Sequence, residues 1–502
     1  MAVVCVDVGT TMIKAVGYAD DGAEAVVVRR PATVRHPVAG WAEQDMAEVW
    51  DAVAGGVREV VRKLDAPVAH VAVTAQGDGC WLVGPDGEPT GPAILWNDAR
   101  AVGVVDEWAQ QGVLERAFAV NGSLTFAGLP NAILAWLRRH DPERVERSAT
   151  ALTCGGWIFQ RMTGELAADE SDASAPFLDI RSRAYAPQLL RMYDLDWAER
   201  LLPEIRRDQG RVAGLSAAAA ERTGLAPGTP VVMGPYDIVA TAIGAGAVAA
   251  GQACSILGTT LCTEVMTTGP ELDGEAAGLT IALSDRYLRA FPSLAGGEVV
   301  QWACEMLALD EPAEFIDLAL RGTPGAAGLV FLPYLSPAGE RAPFLDPLAR
   351  GTLLGLSSGH GREQVARAVL EGLTLVVADC LAASRTRPSE LRVCGGGAAS
   401  SGWLQLIADI TGVPVLRSAD TEAGARGAFL VAAVATGAEP TLEAAAARHV
   451  GNRDTFRPDP AATGFYAELL ADFVSLRATV SAAGPRLASR RSRLTPAPGG
   501  RA

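Results

Sequence analysis

Two short turns in this chain have the composition of a phosphate clamp. The first, Asp7-Val8-Gly9-Thr10-Thr11, ends a β-branched run that begins at Ala2. A glycine turn leaves backbone N–H groups free and threonine hydroxyls add donors, so the set can embrace phosphate oxygens. An aspartate at the end of an apolar strand has no hydrophobic reason to be there. It can hold Mg²⁺ through water, because that ion favours one or two carboxylates together with phosphates. Taken alone, the segment equally describes a β-turn whose Asp7 satisfies local amides. The balance changes at Gly258-Thr259-Thr260, almost half the chain later, where an apolar strand again ends in Gly-Thr-Thr. Phosphoryl transfer needs donors around several phosphates, and two such turns can supply them.

Asp237 closes the segment Met233-Gly234-Pro235-Tyr236-Asp237, after the apolar strand that starts at Pro230 and before a helix of small residues. That is the carboxyl end of a strand, where α/β folds place ligands. A carboxylate there can accept a proton from a hydroxyl that attacks phosphorus; the plainer role is a helix cap worth about 1 kcal/mol. Two polar clusters follow other apolar strands: Gln76-Gly77-Asp78 and Trp96-Asn97-Asp98-Ala99-Arg100. Amide, carboxylate, indole and guanidinium together suit a polyhydroxylated ligand, which needs many hydrogen bonds and an apolar wall. One pattern misleads. Gly355-Leu356-Ser357-Ser358-Gly359 with His360 fits the hydrolase nucleophile elbow, but the pattern is short, no ordered Asp…His continuation stands out, and a base adjacent in sequence is badly placed.

The elements that must position these residues alternate between strand and helix. Ala2–Thr11 and Met12–Tyr18 read as a hairpin, Ala47–Leu64 as an amphipathic helix with valines on one face, and Val71–Ala75 as a buried strand. The pattern restarts near residue 253, and Glu390–Cys394 runs through Gly395-Gly396-Gly397-Ala398 into a helix at Ser401–Thr411. The fold class is therefore α/β. A chain of 502 residues exceeds one ordinary domain. We expect domains at 1–246 and 247–483. The Arg/Pro/Gly-rich stretch 484–502, with five arginines and no acid, reads as a disordered tail.

Composition removes several classes. There are 43 Lys and Arg against 58 Asp and Glu, net −15, so a dedicated nucleic-acid binder is not expected. Only Lys14 and Lys63 are lysines, and neither sits in a Walker A loop. The eight cysteines are scattered and the five histidines form no metal-ligand spacing, which indicates reduced thiols and no protein-ligated zinc. No stretch reads as a signal peptide or membrane span, so the chain is expected to be cytoplasmic.

Together these segments resemble the FGGY family of carbohydrate kinases over nearly the whole chain. The most specific match is Gly351-Thr352-Leu353-Leu354-Gly355-Leu356, seven residues, and then Gln364 to Glu371, which fits the family signature at every fixed position. The Asp7 and Gly258 turns, the Asp237 segment and the Gly395–Ala398 turn occur in the family's order.

The resemblance implies two actin-like, ribonuclease-H-like ATPase domains facing across a cleft that holds ATP and Mg²⁺. It makes Asp237 the general base. Asp7 would be the carboxylate associated with Mg²⁺ through water, and Gly9, Thr10, Thr11 and Lys14 would form the first nucleotide turn. Gly258, Thr259 and Thr260 would form the second, and Gly395, Gly396, Gly397 and Ala398 would lie along the adenosine. Gln76, Gly77, Asp78, Trp96 and Asp98 would line the sugar pocket with Asp237. Where glycerol kinases carry Arg-Glu and a Gln, this chain has Gly77-Asp78 and Ile238; where common D-xylulose kinases carry Met-His-Gly, it has Ala75-Gln76-Gly77. The segment from Gly40 to Met46, with 75–79 and 237–242, is most similar to the L-xylulose and erythritol kinase branches. The expected partners are ATP and a ketopentose or small polyol, phosphorylated on a terminal hydroxyl, and a homodimer would be unsurprising. The competing reading is a non-catalytic actin-like nucleotide-binding regulator, which would not need the polar clusters at 76–78 and 96–100.

Overall fold

The computed structural model describes residues 1–258, 260–272 and 276–494. Its first sheet is built from the runs the sequence makes apolar. β1 (Ala2–Val8) and β2 (Met12–Tyr18) form the expected hairpin, closed by Gly9 N–H donating to Met12 O at 3.1 Å. β3 (Glu24–Pro31) extends it. The helix α1 (Met46–Lys63) then crosses over. Asp45 caps it by accepting from the Ala47 and Glu48 amides, and Val49, Val53, Val57 and Val60 bury one stripe against the sheet. β4 (Val68–Ala75) returns parallel to β1, as a crossover helix requires. Later in the chain come α2 (Cys154–Thr163), the short β5 (Val212–Gly214) and β6 (Pro230–Tyr236), which leads directly into α3 (Asp237–Gly244). The sheet order is β5-β6-β4-β1-β2-β3.

The second half repeats this topology. β7 (Gln252–Leu257) pairs antiparallel with β8 (Leu261–Thr267). Beyond the long helix α4 (Arg362–Ala383), β9 (Glu390–Cys394) lies parallel to β7. After α5 (Ser401–Thr411), β10 (Val415–Ser418) lies parallel to β9, and after α6 (Ala423–Ala435), β11 (Asn452–Phe456) closes the edge antiparallel to β10. Hairpin, parallel strand, parallel strand and antiparallel edge thus recur in the same order across the sheet as β1/β2, β4, β6 and β5, although β5 precedes β6 in the chain and β11 follows β10.

By contacts the chain divides into two compact units. One comprises Met1–Ala250, Met266–Arg289 and Ala419–Gly451; the other comprises Gly251–Val265, Ala290–Ser418 and the chain from Asn452. The division is therefore more interleaved than a cut at 246/247. Its reason in the first unit is α6, which packs on α3 through small residues: a Cβ at Gly244 would stand 1.8 Å from Ala423 O, and one at Gly427 would stand 1.8 Å from Ala240 O. The first unit has an apolar core beneath α1 and a second among Leu82, Ile94, Trp108, Ile133, Leu134 and Leu189. The other unit's core surrounds α4.

The tail departs from expectation. Residues Gly484–Leu494 form a helix, α8, following α7 (Pro460–Ser481). Arg, Ala and Leu are good helix formers, and Gly484 packs near Leu348, where an added Cβ would stand 3.1 Å from the Leu348 Cβ. Residues 495–502 of the expected disordered tail lie outside the described residues. All eight cysteines are free and buried, and among the described residues no helix is long and apolar enough to cross a membrane.

Candidate active site

Register places the expected site residues of the first unit together. Val8 of β1 pairs with Ala75 of β4, and Ala75 pairs with Tyr236 of β6. The three carboxyl-terminal strand ends therefore present Asp7 and the Gly9–Thr11 turn, Gln76–Asp78, and Tyr236–Asp237 side by side. That is the edge where α/β sheets bind ligands.

The polar side chains there form a connected network. Trp96 Nε1 donates to Thr10 Oγ1 at 2.9 Å, and Thr10 Oγ1 donates to Gln76 Oε1 at 2.9 Å. Gln76 Nε2 donates to Gln44 Oε1 at 2.8 Å, and Gln44 Nε2 returns to Thr10 O at 2.8 Å. The motif marks the Thr10 hydroxyl as a phosphate donor; here it ties the first turn to the residues expected around the sugar, while Thr11 stays exposed. Gln44, fully buried, is a member the sequence did not single out.

Gly77 is glycine for a geometric reason. A Cβ would stand 2.2 Å from the Tyr236 ring, which lies over it and donates from Oη to Asp78 Oδ2 at 2.8 Å. Asp78 holds a left-handed φ of 53°, costly for a side chain with a Cβ and tolerated by Asp more readily than most. Asp98 is engaged otherwise. Its Oδ2 accepts from the Ala42 amide at 2.6 Å, and both oxygens accept from Arg100, which lies over the Trp41 ring at 4.0 Å. It clasps Arg100, with its side chain fully buried.

Asp237 opens α3 half-buried, with Oδ1 accepting from the Ile238 amide at 2.8 Å. Burial first, then the carboxylates of Asp7, Asp172 and Asp78, push its carboxyl well above the usual range. Asp7 is likewise raised, by burial and by Glu422, with Lys14 opposing. Lys14 Nζ lies 3.5 Å from Asp7 Oδ2 and 3.1 Å from Glu422 Oε2, and Glu422 also pairs with Arg29. Burial works against the Lys14 ammonium, but Asp7 and Glu422 outweigh it and raise its pKa. Besides Gln44, two residues the sequence reading missed bear on the site: Asp172, pushed by burial and Asp78 to about 8, and Glu422. Neither stands in a recognisable motif.

In the other unit, Gly258 and Gly395 follow adjacent parallel strands, with Ile256 paired to Cys394. Gly258 N–H donates to Thr260 O at 3.3 Å; Thr259 lies outside the described residues. Gly395 has φ 88°, and a Cβ there would meet Leu257 O at 2.7 Å, so only glycine suits the turn. Gly396 has open space around it, whereas Gly397 abuts Leu257 and Trp403, and Ala398 N–H donates back to Gly395 O at 3.1 Å.

No group of three or more His, Cys, Asp or Glu side chains forms a metal cage among the described residues. A Mg²⁺ that keeps most of its water needs less. Asp7 fits as a single outer carboxylate, since a nearby cation would offset the burial that raises it and Asp237 and the repulsion that Asp237 feels from Asp7.

Sequence and structure comparisons agree with this geometry. Models of the N-terminal and C-terminal domains of the FGGY family of carbohydrate kinases match residues 2–244 and 253–436. The chain is 34% identical to the erythritol kinase of Brucella abortus (strain 2308), covering 97% of this chain and 98% of that one. It is 30% identical to the xylulose kinase of Escherichia coli (strain K12), covering 87% and 90%. A ligand-bound xylulose kinase from Lactobacillus acidophilus superposes with a TM-score of 0.92 at 25% identity, over 97% of this chain and 99% of that one. A repeated hairpin-and-parallel-strand topology, an aspartate at the third strand end and glycine turns in both halves have one common explanation: the chain belongs to the FGGY family of carbohydrate kinases and is a phosphotransferase with an alcohol group as acceptor.

Proposed function

We propose that this kinase transfers the γ-phosphoryl group of ATP to a terminal hydroxyl of a neutral tetritol or ketopentose, with Asp237 as the general base. The observation that carries the reading is the placement of Asp237. Its carboxyl sits at a strand end where burial first, and then neighbouring carboxylates, raise its basicity, beside a polar network suited to hydroxyl groups. A base with a raised pKa takes the hydroxyl proton more readily as the oxygen attacks phosphorus. The erythritol and xylulose kinase relatives support a four- or five-carbon acceptor.

In this reading the acceptor hydroxyl rests against Asp237, and Tyr236 holds Asp78 toward the remaining hydroxyls. Trp96 and Gln76 keep the Thr10 turn fixed to the sugar side. Lys14, with Gly9 and Thr11, holds phosphate oxygens; Gly258 and Thr260 are the second candidate phosphate turn, and Gly395–Ala398 lie along adenosine. Mg²⁺ associated with Asp7 through water would supply charge neutralisation at the phosphates. The test is a coupled ADP-release screen over tetritols, pentitols, ketopentoses and glycerol. Release with a tetritol or ketopentose is expected. No release with any polyol or ketose would overturn the substrate assignment.

A further inference from the structure

Gln44 is fully buried, bonds to both sides of this site and has no part in the mechanism above. Its backbone is fixed before its side chain is considered. Gln44 lies in the two-residue strand Glu43–Gln44, paired with Ala93–Ile94 just before Trp96. Glu43 exchanges both backbone hydrogen bonds with Arg35, at 2.8 and 2.9 Å. Ala42 O accepts from the Leu95 amide at 3.0 Å, and on the other side Asp45 caps α1. A side chain carried on a backbone held from both ends can act as a strut.

The sense of the hydrogen bonds around Gln44 follows from their two ends. An indole N–H only donates, so Thr10 Oγ1 accepts from Trp96 and gives its own hydrogen to Gln76 Oε1. That turns the Nε2 end of Gln76 toward Gln44, whose Oε1 accepts at 2.8 Å. Gln44 Nε2 then meets Thr10 O, a carbonyl that only accepts, at 2.8 Å. The Cys154 thiol also bonds Gln76, but a thiol can take either part and does not choose the sense. The ring begins at the Thr10 hydroxyl and closes on the Thr10 carbonyl. In a trans peptide, as here, C=O and N–H point in opposite directions. By holding Thr10 O, Gln44 therefore also aims the Thr11 N–H, a backbone donor of the first candidate phosphate turn.

We propose that Gln44 is a positioning residue for phosphoryl transfer. Its amide fixes the Gln76 amide on the acceptor side and the Thr10–Thr11 peptide on the phosphate side, so that both hold one geometry. The inference rests on the sugar-kinase reading. Without Gln44, Gln76 Nε2 and Thr10 O lose a partner, and a buried amide so left turns to find another. Gln76 can then swing its Nε2 end toward Thr10 Oγ1, and the Thr10–Thr11 peptide is free to tilt. In-line transfer tolerates little of this, because a displacement of about 1 Å can cost about 100-fold in rate. Gln44 touches neither substrate in this reading, so the loss falls on kcat and not on binding.

The experiment measures kcat and both KM values by coupled ADP release, with the best neutral acceptor from the screen as probe and thermal melts as the control of folding. It compares wild type, Gln44→Met, Gln76→Met and the double variant. Gln44→Met keeps the length of the side chain and removes its hydrogen bonds. Its kcat is expected to fall about 10- to 100-fold, with acceptor and ATP KM within about threefold of wild type. The double variant is expected to lose less kcat than the product of the two single losses, because both substitutions break one shared bond. Gln44→Asn decides if the methionine variant fails to fold: it keeps the amide but draws it back by one carbon, so kcat should still fall about tenfold. A folded Gln44 variant with kcat within about twofold of wild type, or a loss carried by KM alone, overturns the inference alone. Losses that simply multiply in the double variant overturn it too. A wild type that phosphorylates no polyol or ketose overturns this inference together with the substrate assignment.

Discussion

Gly77→Ala tests whether the Tyr236–Asp78 pair builds the acceptor side of the site. The added Cβ would stand 2.2, 2.3 and 2.5 Å from Cε2, Cδ2 and Cζ of the Tyr236 ring, where ordinary contact begins near 3.4 Å. Something must move by about 1 Å. The Tyr236 backbone cannot easily do so, because its amide donates to Ser171 and its register is fixed against Ala75. The ring therefore swings away, and its hydroxyl leaves Asp78, now 2.8 Å distant. Losing a hydrogen bond to a charged acceptor costs roughly 1.5–3 kcal/mol, and overpacking adds about 1–3 kcal/mol of destabilisation. We expect kcat/KM for the acceptor to fall about 10- to 100-fold, with ATP affinity within about twofold of wild type. The assay is coupled ADP release with acceptor varied at saturating ATP, accompanied by a thermal melt. Tyr236→Phe, which removes the oxygen without crowding, should reproduce the kinetic part without the overpacking. Wild-type acceptor kinetics and an unchanged melt in Gly77→Ala would refute the reasoning.

Three other perturbations follow from the same geometry. Gly427→Ala drives a methyl into Ala240 O, a backbone atom that cannot rotate aside, and should lower stability by about 1–3 kcal/mol or more in thermal or urea unfolding. Glu422→Gln removes the carboxylate that holds Lys14 and Arg29, leaving Lys14 to Asp7; Mg-ATP affinity by calorimetry should weaken while acceptor affinity holds. Asp172 has a folded pKa of about 8 against an ordinary value of 3.8, so the folded state binds more protons between them and stability falls as pH rises through that window. Asp172→Asn should accordingly melt higher than wild type at pH 8, with the difference vanishing toward pH 4.

The parts of this molecule that were legible in the sequence are those whose physics is local. A β-branched run ending in Gly-Thr-Thr yields β1, its turn and β2, because alternation and a glycine turn suffice. The helical stripe of valines yields α1, and an aspartate following an apolar strand marks Asp237 as a strand-end carboxylate. What was not legible depends on register between distant segments. Asp172 adjoins Asp237 only because Ser171 holds the Tyr236 amide, and Glu422 reaches Lys14 across most of the chain length. Thr10 shows the limit of a motif. Its hydroxyl has the type and place of a phosphate donor, yet Trp96 and Gln76 engage it. Composition misled once, at residues 484–494, where arginine and proline suggested disorder and helix-forming residues beside Leu348 gave α8.

As proposed, Asp237 takes the proton from the acceptor hydroxyl. Asp237→Asn keeps the shape of the side chain and its place at the start of α3 while removing the base, so acceptor binding should survive. Measured on the best acceptor, with acceptor affinity read in parallel by calorimetry, kcat should drop by about 10²–10⁴-fold with little change in acceptor Kd. Near-wild-type turnover in Asp237→Asn would contradict the account.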